Sequence, residues 1–262
     1  MERLRNKPAV PLVKLDWNIE GVGNALKNRD IVVIVDTLRF SSAVVTAVAH
    51  GFTIYPVADQ KAGRDLARSV GAYQAGKPGK AKYTISPHSF LRAGKDDVRK
   101  VVLFSPNGAT CAASVKDEDL VYIGCMLNAR AVGLHVSALA DTIDRNVTLI
   151  AAGEQRAIDT GERVVYDKMA AHNVFAIEDY LACGAIITNT ELEKNAEAKF
   201  CELAYRSAKR EIKGLMLGGF SGRYLVQHNM REDVDFAAKL NVYDVIPVVR
   251  NGRIEALSDW RD

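Results

Sequence analysis

The chain has 262 residues, 48% of them hydrophobic and 26% charged, which is enough apolar material for one large α/β domain or two small ones. Its 35 basic and 32 acidic residues are interspersed, giving a formal charge of +3, so there is no basic stripe of the kind that neutralises nucleic-acid phosphates, and nucleic acid is not an expected partner. No stretch approaches the roughly 20 apolar residues of a bilayer span and the start, MERLRNKPAVPLVKLDW, lacks a signal-peptide core, so a cytoplasmic protein without a membrane partner is expected.

In chain order, the first clear unit is IVVIVDTLRFSSAVVTAVAHG. A buried strand over Ile31 to Val35 should lead into a helix that begins near Ser41 or Ser42, where a hydroxyl can cap the first turn, and that stops at Gly51. VVLFSPNGATCAASV repeats the plan, with a strand at Val101 to Phe104, a turn at Ser105 to Gly108 and a short helix. LVYIGCMLNARAVGLHVSALAD predicts a strand at Leu120 to Ile123 and a helix from about Ala129, with Asn128 placed to cap it, and VTLIAAGE predicts a strand at Val147 to Ala151 with a polar end. The C-terminal third predicts a long polar helix near Glu191 to Lys213, a glycine-rich turn at Leu217 to Phe220, and a hairpin in VIPVVRNGRIEAL turning at Asn251-Gly252.

Strands alternating with helices imply a three-layer α/β/α fold around a mostly parallel sheet, which the hairpin makes mixed. No composition shift marks a linker, so residues 1–262 should form one compact unit. The repeated strand–turn–helix plan is compatible with an internal duplication whose halves meet near residues 140–150. Cys111, Cys125, Cys183 and Cys201 lack metal or redox spacing and are expected to be buried free thiols. His50, His88, His135, His172 and His228 likewise lack ligand spacing and are expected at the surface or in packing.

Ligands of open α/β sheets bind beyond the carboxyl ends of the strands, where helix amides also point. That rule nominates Asp36, Thr37 and Arg39; Ser105, Asn107 and Gly108; Asn128; and Gly153 and Glu154. Asp36 also reads as a capping aspartate, and Arg39 as its ion-pair partner. Two carboxylates can hold a hard cation, an arginine can grip a phosphate or carboxylate through two bonds, and short side chains leave room for an anion. Glu178 and Asp179, ahead of an apolar helical run, suit either the first turn of a helix or a metal, and Arg223 beside Ser221-Gly222 suits either solvent or an anion clamp. SPNGAT is not a P-loop, since no Gly-Lys-Ser/Thr follows, and neither a dinucleotide fingerprint nor a Gly-x-Ser-x-Gly elbow is present.

In order, VDTLRFSSAVVTA, the Ser86-Pro87 of TISPHS, SPNGAT, IGCMLNARAV, AAGE, IEDYLACGAI, SGR and VIPVVRNGRI resemble the 2-phosphosulfolactate phosphatase family over about residues 31 to 257. The resemblance implies an Mg2+-dependent α/β/α phosphatase acting on phosphorylated 2-hydroxy acids, the named reaction belonging to coenzyme M biosynthesis. Asp36 falls on the family's Asp-x-Leu-Arg aspartate, expected to be nucleophile or metal ligand. Asn107 and Gly108 fall on its Asn-Gly turn, Glu154 on its Gly-Glu, Glu178 and Asp179 on its Glu-Asp, and Arg223 on its Gly-Arg. Thr37 and Phe40 depart from the small or aliphatic residues usual there, and Ser105-Pro106 stands where a Thr-Thr pair is usual. The segment between Glu154 and Glu178 is longer than in better-known members, which is where specificity changes on a fixed scaffold.

The expected catalytic group is therefore Asp36, Arg39, Asn107 and Glu154. Mg2+ would be held by Asp36 and Glu154 with Glu178 or Asp179. Helix-start amides and hydroxyls at Ser41, Ser42 and Gly108, together with Ser86, Asn128 and Arg223, would bind a small phosphate ester. The alternatives are a non-catalytic small-anion binding protein and a lyase or phosphoryl transferase acting on another phospho-acid. A homo-oligomer is compatible with the sequence.

Overall fold

The computed structural model describes residues 10–155, 157–160, 164–166 and 173–257. The expectations for the N-terminal stretch and for the long 155–177 segment lie partly outside them, as does His172. The chain begins with β1 (Leu12–Trp17), α1 (Asn18–Lys27), β2 (Ile31–Val35), α2 (Phe40–Ala49), β3 (Thr53–Val57), α3 (Gln60–Val70), β4 (Tyr73–Gln74), α4 (Pro87–Leu91), β5 (Lys100–Phe104) and α5 (Gly108–Ala113). It continues with β6 (Val121–Ile123), α6 (Ala129–Ile143), β7 (Val147–Ala151) and four short strands, β8 (Glu154–Gln155), β9 (Ala157–Asp159), β10 (Val164–Tyr166) and β11 (Asn173–Val174). Then come α7 (Ile177–Ile187), β12 (Glu193–Lys194), α8 (Ala196–Ala208), α9 (Ile212–Gly218), α10 (Phe220–Gln227), α11 (Arg231–Ala237), β13 (Pro247–Arg250) and β14 (Arg253–Ala256).

Ten strands form one sheet in the order β12–β1–β7–β2–β6–β13–β14–β3–β5–β4. β12, β1, β7, β2 and β6 are mutually parallel, and so are β3, β5 and β4. The hairpin β13–β14 joins the two blocks through antiparallel pairs. Three antiparallel steps reverse the sense, so the β3–β5–β4 block runs against the other. The mixed sheet was expected. The hairpin's place in its middle was not, although Val248, Val249 and Ile254 are buried as a central position requires. The turn itself is as expected: Asn251 (φ 50°) and Gly252 (φ 67°) both lie in the left-handed region that a two-residue hairpin turn needs.

β2 is a continuous apolar run and β7 is one but for Thr148, whose hydroxyl donates to Asp30 Oδ2 at 2.7 Å, and every residue in both is buried, because helices cover both faces. Successive side chains of a strand point to opposite faces. Ile31, Val33 and Val35 accordingly enter one core with residues of α6, α7 and α8, while Val32 and Ile34 enter another with residues of α1, α2, α4 and α5. Together these make the three α/β/α layers. α2 is buried from Phe40 to Val48, its Ser41, Ser42 and Thr46 hydroxyls bonded to backbone, as suits a helix enclosed by other elements. All four cysteines are free and buried.

Four local expectations are corrected. α2 starts at Phe40, and its N-cap residue Arg39 makes no side-chain cap bond; the Ser41 hydroxyl instead accepts the Asp36 N–H at 2.9 Å, and the Ser42 hydroxyl donates to Thr37 O at 2.8 Å. Asn128 does not cap α6 but turns back, accepting from Cys125 N–H at 3.0 Å and donating to the carbonyls of Ile123 and Val245 at 3.3 and 3.2 Å. The long polar helix is interrupted: Asn195 caps α8 by accepting the Ala198 N–H after the short edge strand β12. Ser221-Gly222, which would form a flexible turn beside Arg223 if its composition decided, is instead the first turn of α10, and a Cβ on Gly222 would lie 1.8 Å from Met216 O. The glycine there serves a close helix crossing and not flexibility.

α7 and α8 cross just as tightly at Gly184, where a Cβ would lie 2.5 Å from Tyr205 Cβ and 2.6 Å from Cys201 O. Gly184→Ala should therefore destabilise the protein by about 1–3 kcal/mol through overpacking. Gly214→Ala, in α9 with nothing within 4 Å of the new Cβ, should be neutral or stabilise by up to about 1 kcal/mol. Urea unfolding midpoints of the two variants check the contrast.

Candidate active site

The site forms where the ends of β2, β7 and β5 meet the start of α7. β2 and β7 pair in parallel with Val35 opposite Ala151, and Ala152 N–H continues the ladder to Val35 O at 2.8 Å. Asp36 and Glu154 thus emerge from neighbouring strands at the same edge. β5 belongs to the oppositely running block, yet the loop after it reaches the same place: Gly108 N–H donates to Asp36 Oδ2 at 2.8 Å. The residue before it, Asn107, donates its side-chain amide to Glu154 Oε1 at 3.0 Å. Two consecutive residues therefore tie the two nominated carboxylates together.

Asp36 is buried and well ordered by its partners. Its Oδ1 accepts Phe40 N–H at 3.3 Å, and Ser105 Oγ lies 3.4 Å from Oδ2. Asp179 holds two strand ends at once, accepting Thr37 N–H at 2.7 Å through Oδ1 and Gly153 N–H at 3.0 Å through Oδ2. Thr37 also donates its hydroxyl to Glu178 O at 3.2 Å. Glu154 accepts Gln155 N–H at 2.7 Å and the Ser221 hydroxyl at 3.3 Å.

Asp36, Glu178 and Asp179 are buried beside the half-buried Glu154. Although no three of the four bring ligand atoms within 4.8 Å of one another, burial with like charge nearby raises a carboxylate's affinity for protons. Burial, reinforced by the charge of Glu154 and opposed by the Gly108 and Phe40 amides, pushes Asp36 up to about 6. Burial, reinforced by Glu154 and Asp36 and opposed by the Ser221 hydroxyl, pushes Glu178 up to about 7. Burial and the charges of Asp36 and Glu178 hold Asp179 well above the usual carboxylate range. At roughly 1.4 kcal/mol per pKa unit, an ionised Asp36 costs about 3 kcal/mol at neutral pH. A bound cation would remove that cost, and oxygen donors alone are what a hard divalent ion takes.

The other nominated residues are placed differently. Arg39 points away from Asp36, forming an ion pair with Asp233 Oδ2 at 2.7 Å and lying 3.0 Å from Met230 Sδ. Ser86 donates its hydroxyl to the other oxygen of Asp233. The amides of Ser41 and Gly108, expected to face a phosphoryl group, donate to Asp36 O and Asp36 Oδ2, and Asn128 and Ser42 bond the backbone as described. Arg223 shares a cavity of about 240 Å3 with Glu154, Glu178 and Ser221.

Two contributors, Ser221 and Asp233, escaped the sequence reading. Ser221 stands next to the nominated Gly-Arg, which was a usable signal. Asp233, within the charged run MREDVDF, looks like any solvated acid. Among the described residues the three side chains whose ligand atoms lie within 4.8 Å of one another are His88, Glu232 and Asp233. Asp233 there serves Arg39 and Ser86, and His88 packs on Phe236 with ring centroids 5.3 Å apart, so the group is an ion-pair network with a packed histidine.

Similarity to known proteins falls on this same framework. The family model described as 2-phosphosulpholactate phosphatase matches residues 19–252. The 2-phosphosulfolactate phosphatase of Methanothermobacter thermautotrophicus is 27% identical over 236 residues, covering 87% of this chain and 91% of its own. The 2-phosphosulfolactate phosphatase of Methanocaldococcus jannaschii is 24% identical, covering 86% and 91%, and a probable 2-phosphosulfolactate phosphatase of Caldanaerobacter subterraneus is 22% identical, covering 90% and 96%. A match that runs from α1 to the turn of the C-terminal hairpin takes in every strand end that builds the carboxylate cluster, and the chain belongs to the 2-phosphosulfolactate phosphatase family.

Proposed function

We propose that the chain hydrolyses a small phosphate monoester of a 2-hydroxy acid, with Mg2+ as cofactor. The observation that carries this reading is the pair of bonds from Asn107 and Gly108 to Glu154 and Asp36, which gathers buried carboxylates at one sheet edge. Such a cluster opposes an anion unless a cation is present, which argues against a protein that merely binds phosphate. Mg2+ typically takes one or two carboxylates and completes its shell with water and phosphate oxygens, so Asp36 and Glu154 suffice, with Glu178 beside them.

When bound, the cation would neutralise phosphoryl oxygens as a Lewis acid. Asp36, its two oxygens fixed by the Gly108 and Phe40 amides, orients the attacking oxygen. Asn107 and Ser221 hold Glu154 in place, and Asp179 keeps the Thr37 and Gly153 backbones in register beneath it. Arg223 stands in the shared cavity, where a guanidinium can pair with the substrate carboxylate. In the reaction, a P–O bond forms from water and the P–O bond to the 2-oxygen breaks. Water's proton passes to that oxygen, leaving the hydroxy acid and inorganic phosphate.

Asp36→Asn should lower kcat at least about a thousandfold while leaving the melting temperature of the metal-free protein equal or higher, because a repelled charge has been removed. Phosphate release and thermal unfolding measured on one preparation check both halves, and substantial turnover by the variant would refute the assignment.

The sign of the pH dependence follows from carboxylates raised on folding. Their protonated forms fit the native state, so the contribution to stability is present below about pH 4 and is lost as pH rises through about 6 for Asp36 and about 7 for Glu178. Since a cation competes with those protons, Mg2+ should raise the melting temperature more at pH 8 than at pH 5, and less in Asp36→Asn at either pH. An equal shift at both pH values in the unaltered protein would show that these groups do not hold the ion.

A further inference from the structure

The cavity of about 240 Å3 that opens beside Glu154, Glu178 and Ser221 has a wall of a different character. Phe175, Ile177 and Phe220 line it, and Phe175 and Phe220 are 55% and 42% exposed. Large apolar side chains held open to solvent at the mouth of a cavity mark a binding surface. Phe175 is braced from behind, its ring centroid 5.4 Å from those of both Trp17 and Tyr180, while Trp17 and Tyr180 stack at 6.2 Å. Phe220 is set by the tight start of α10, where a Cβ on Gly219 would lie 2.8 Å from Ile177 Cγ2. The wall is therefore a fixed surface.

Charge in the same cavity is limited. Among its described lining residues Arg223 is the one cation, set against the carboxylates of Glu154 and Glu178. A phospho-acid with a single carboxylate suits that set: the phosphate lies by the carboxylates and their cation, and the carboxylate by Arg223. Among the described lining residues a second strong anion, such as a sulfonate on C3, would meet phenylalanine and no further cation, which is costly for a desolvated charge. The volume is below the roughly 300–1,000 Å3 of pockets for drug-sized ligands, so it fits the side chain of a small acid and not a nucleotide.

We infer that this chain's substrate is a 2-phosphorylated carboxylic acid whose C3 substituent is apolar, with Phe175, Ile177 and Phe220 forming the subsite that receives it. The inference rests on the phosphatase reading given above and determines which ester that site prefers. Phe220, partly exposed at a helix start, is the wall residue whose substitution tests the subsite.

Phosphate release from the 2-phosphate esters of lactate, 3-phenyllactate and 3-sulfolactate, all with Mg2+, tests it directly. The expected order in kcat/KM is phenyllactate above lactate above sulfolactate, with about tenfold or more between first and last. Phe220→Ala should lower the phenyllactate-to-lactate ratio about fivefold or more, mainly through KM. A sulfolactate ester turned over as well as or better than the phenyllactate ester would overturn the inference and leave the phosphatase reading standing, as would a ratio unmoved in Phe220→Ala. No release from any of the three would overturn the phosphatase reading and this inference with it.

Discussion

The mutual repulsion of buried carboxylates is the constraint around which this molecule is organised. Asp36, Glu178 and Asp179 are almost wholly withdrawn from solvent, and Glu154 lies against them. Such a group is tolerated only where amide and hydroxyl donors point at each oxygen and where protons or a cation balance the charge. The fold supplies the donors. Thr37 and Gly153 direct their amides at Asp179, Gly108 and Phe40 theirs at Asp36, and Asn107 and Ser221 their side chains at Glu154. Each donor comes from the end of a strand or the start of a helix, so the cluster also serves as the junction that registers β2, β5, β7 and α7 at one edge.

The sheet topology makes that junction possible. Two parallel blocks run in opposite senses, and a C-terminal hairpin is inserted between them. In a simple parallel sheet the carboxyl ends of all strands share one edge. Here β5 points the other way along the sheet, and its following loop still delivers Asn107 and Gly108 to Asp36 and Glu154. α2, buried from Phe40 to Val48 and packed against β6 and β13 on one side and β14 and β3 on the other, is the element around which this convergence occurs. Arg39 and Asp233, at the start of α2 and in α11, form a second network beside the first, with Ser86 bound to the same carboxylate.

An apolar wall of Phe175, Ile177 and Phe220 adjoins the acidic edge of this chain. In the proposed reading, hydrolysis is assigned to the acidic edge and a cation, and discrimination among esters to the adjoining cavity wall on β11, α7 and α10. Phe175 lies between β11 and α7, and Phe220 opens a helix whose start is crowded at Gly219 and Gly222. α7 and α10 contribute to both surfaces, Glu178 and Ser221 to the acidic edge and Ile177 and Phe220 to the wall.

Much of this was legible in the amino-acid order alone. Apolar runs, continuous in β2 and interrupted at Thr148 in β7, marked both strands to the residue, because strands covered on both faces have no polar side to show. Asn251-Gly252 identified the hairpin, because few other pairs adopt two left-handed conformations in succession. The rule that ligands gather beyond strand ends nominated Asp36, Asn107, Gly108 and Glu154, since it depends only on local strand and turn signals. Tertiary structure alone decided which donors those residues would meet: Arg39 on Asp233, Gly108 on Asp36, Asn128 on its own turn, and the hairpin in mid-sheet. Those outcomes depend on contacts between segments up to about 190 residues apart, whose geometry is set by packing and leaves no periodic trace along the chain.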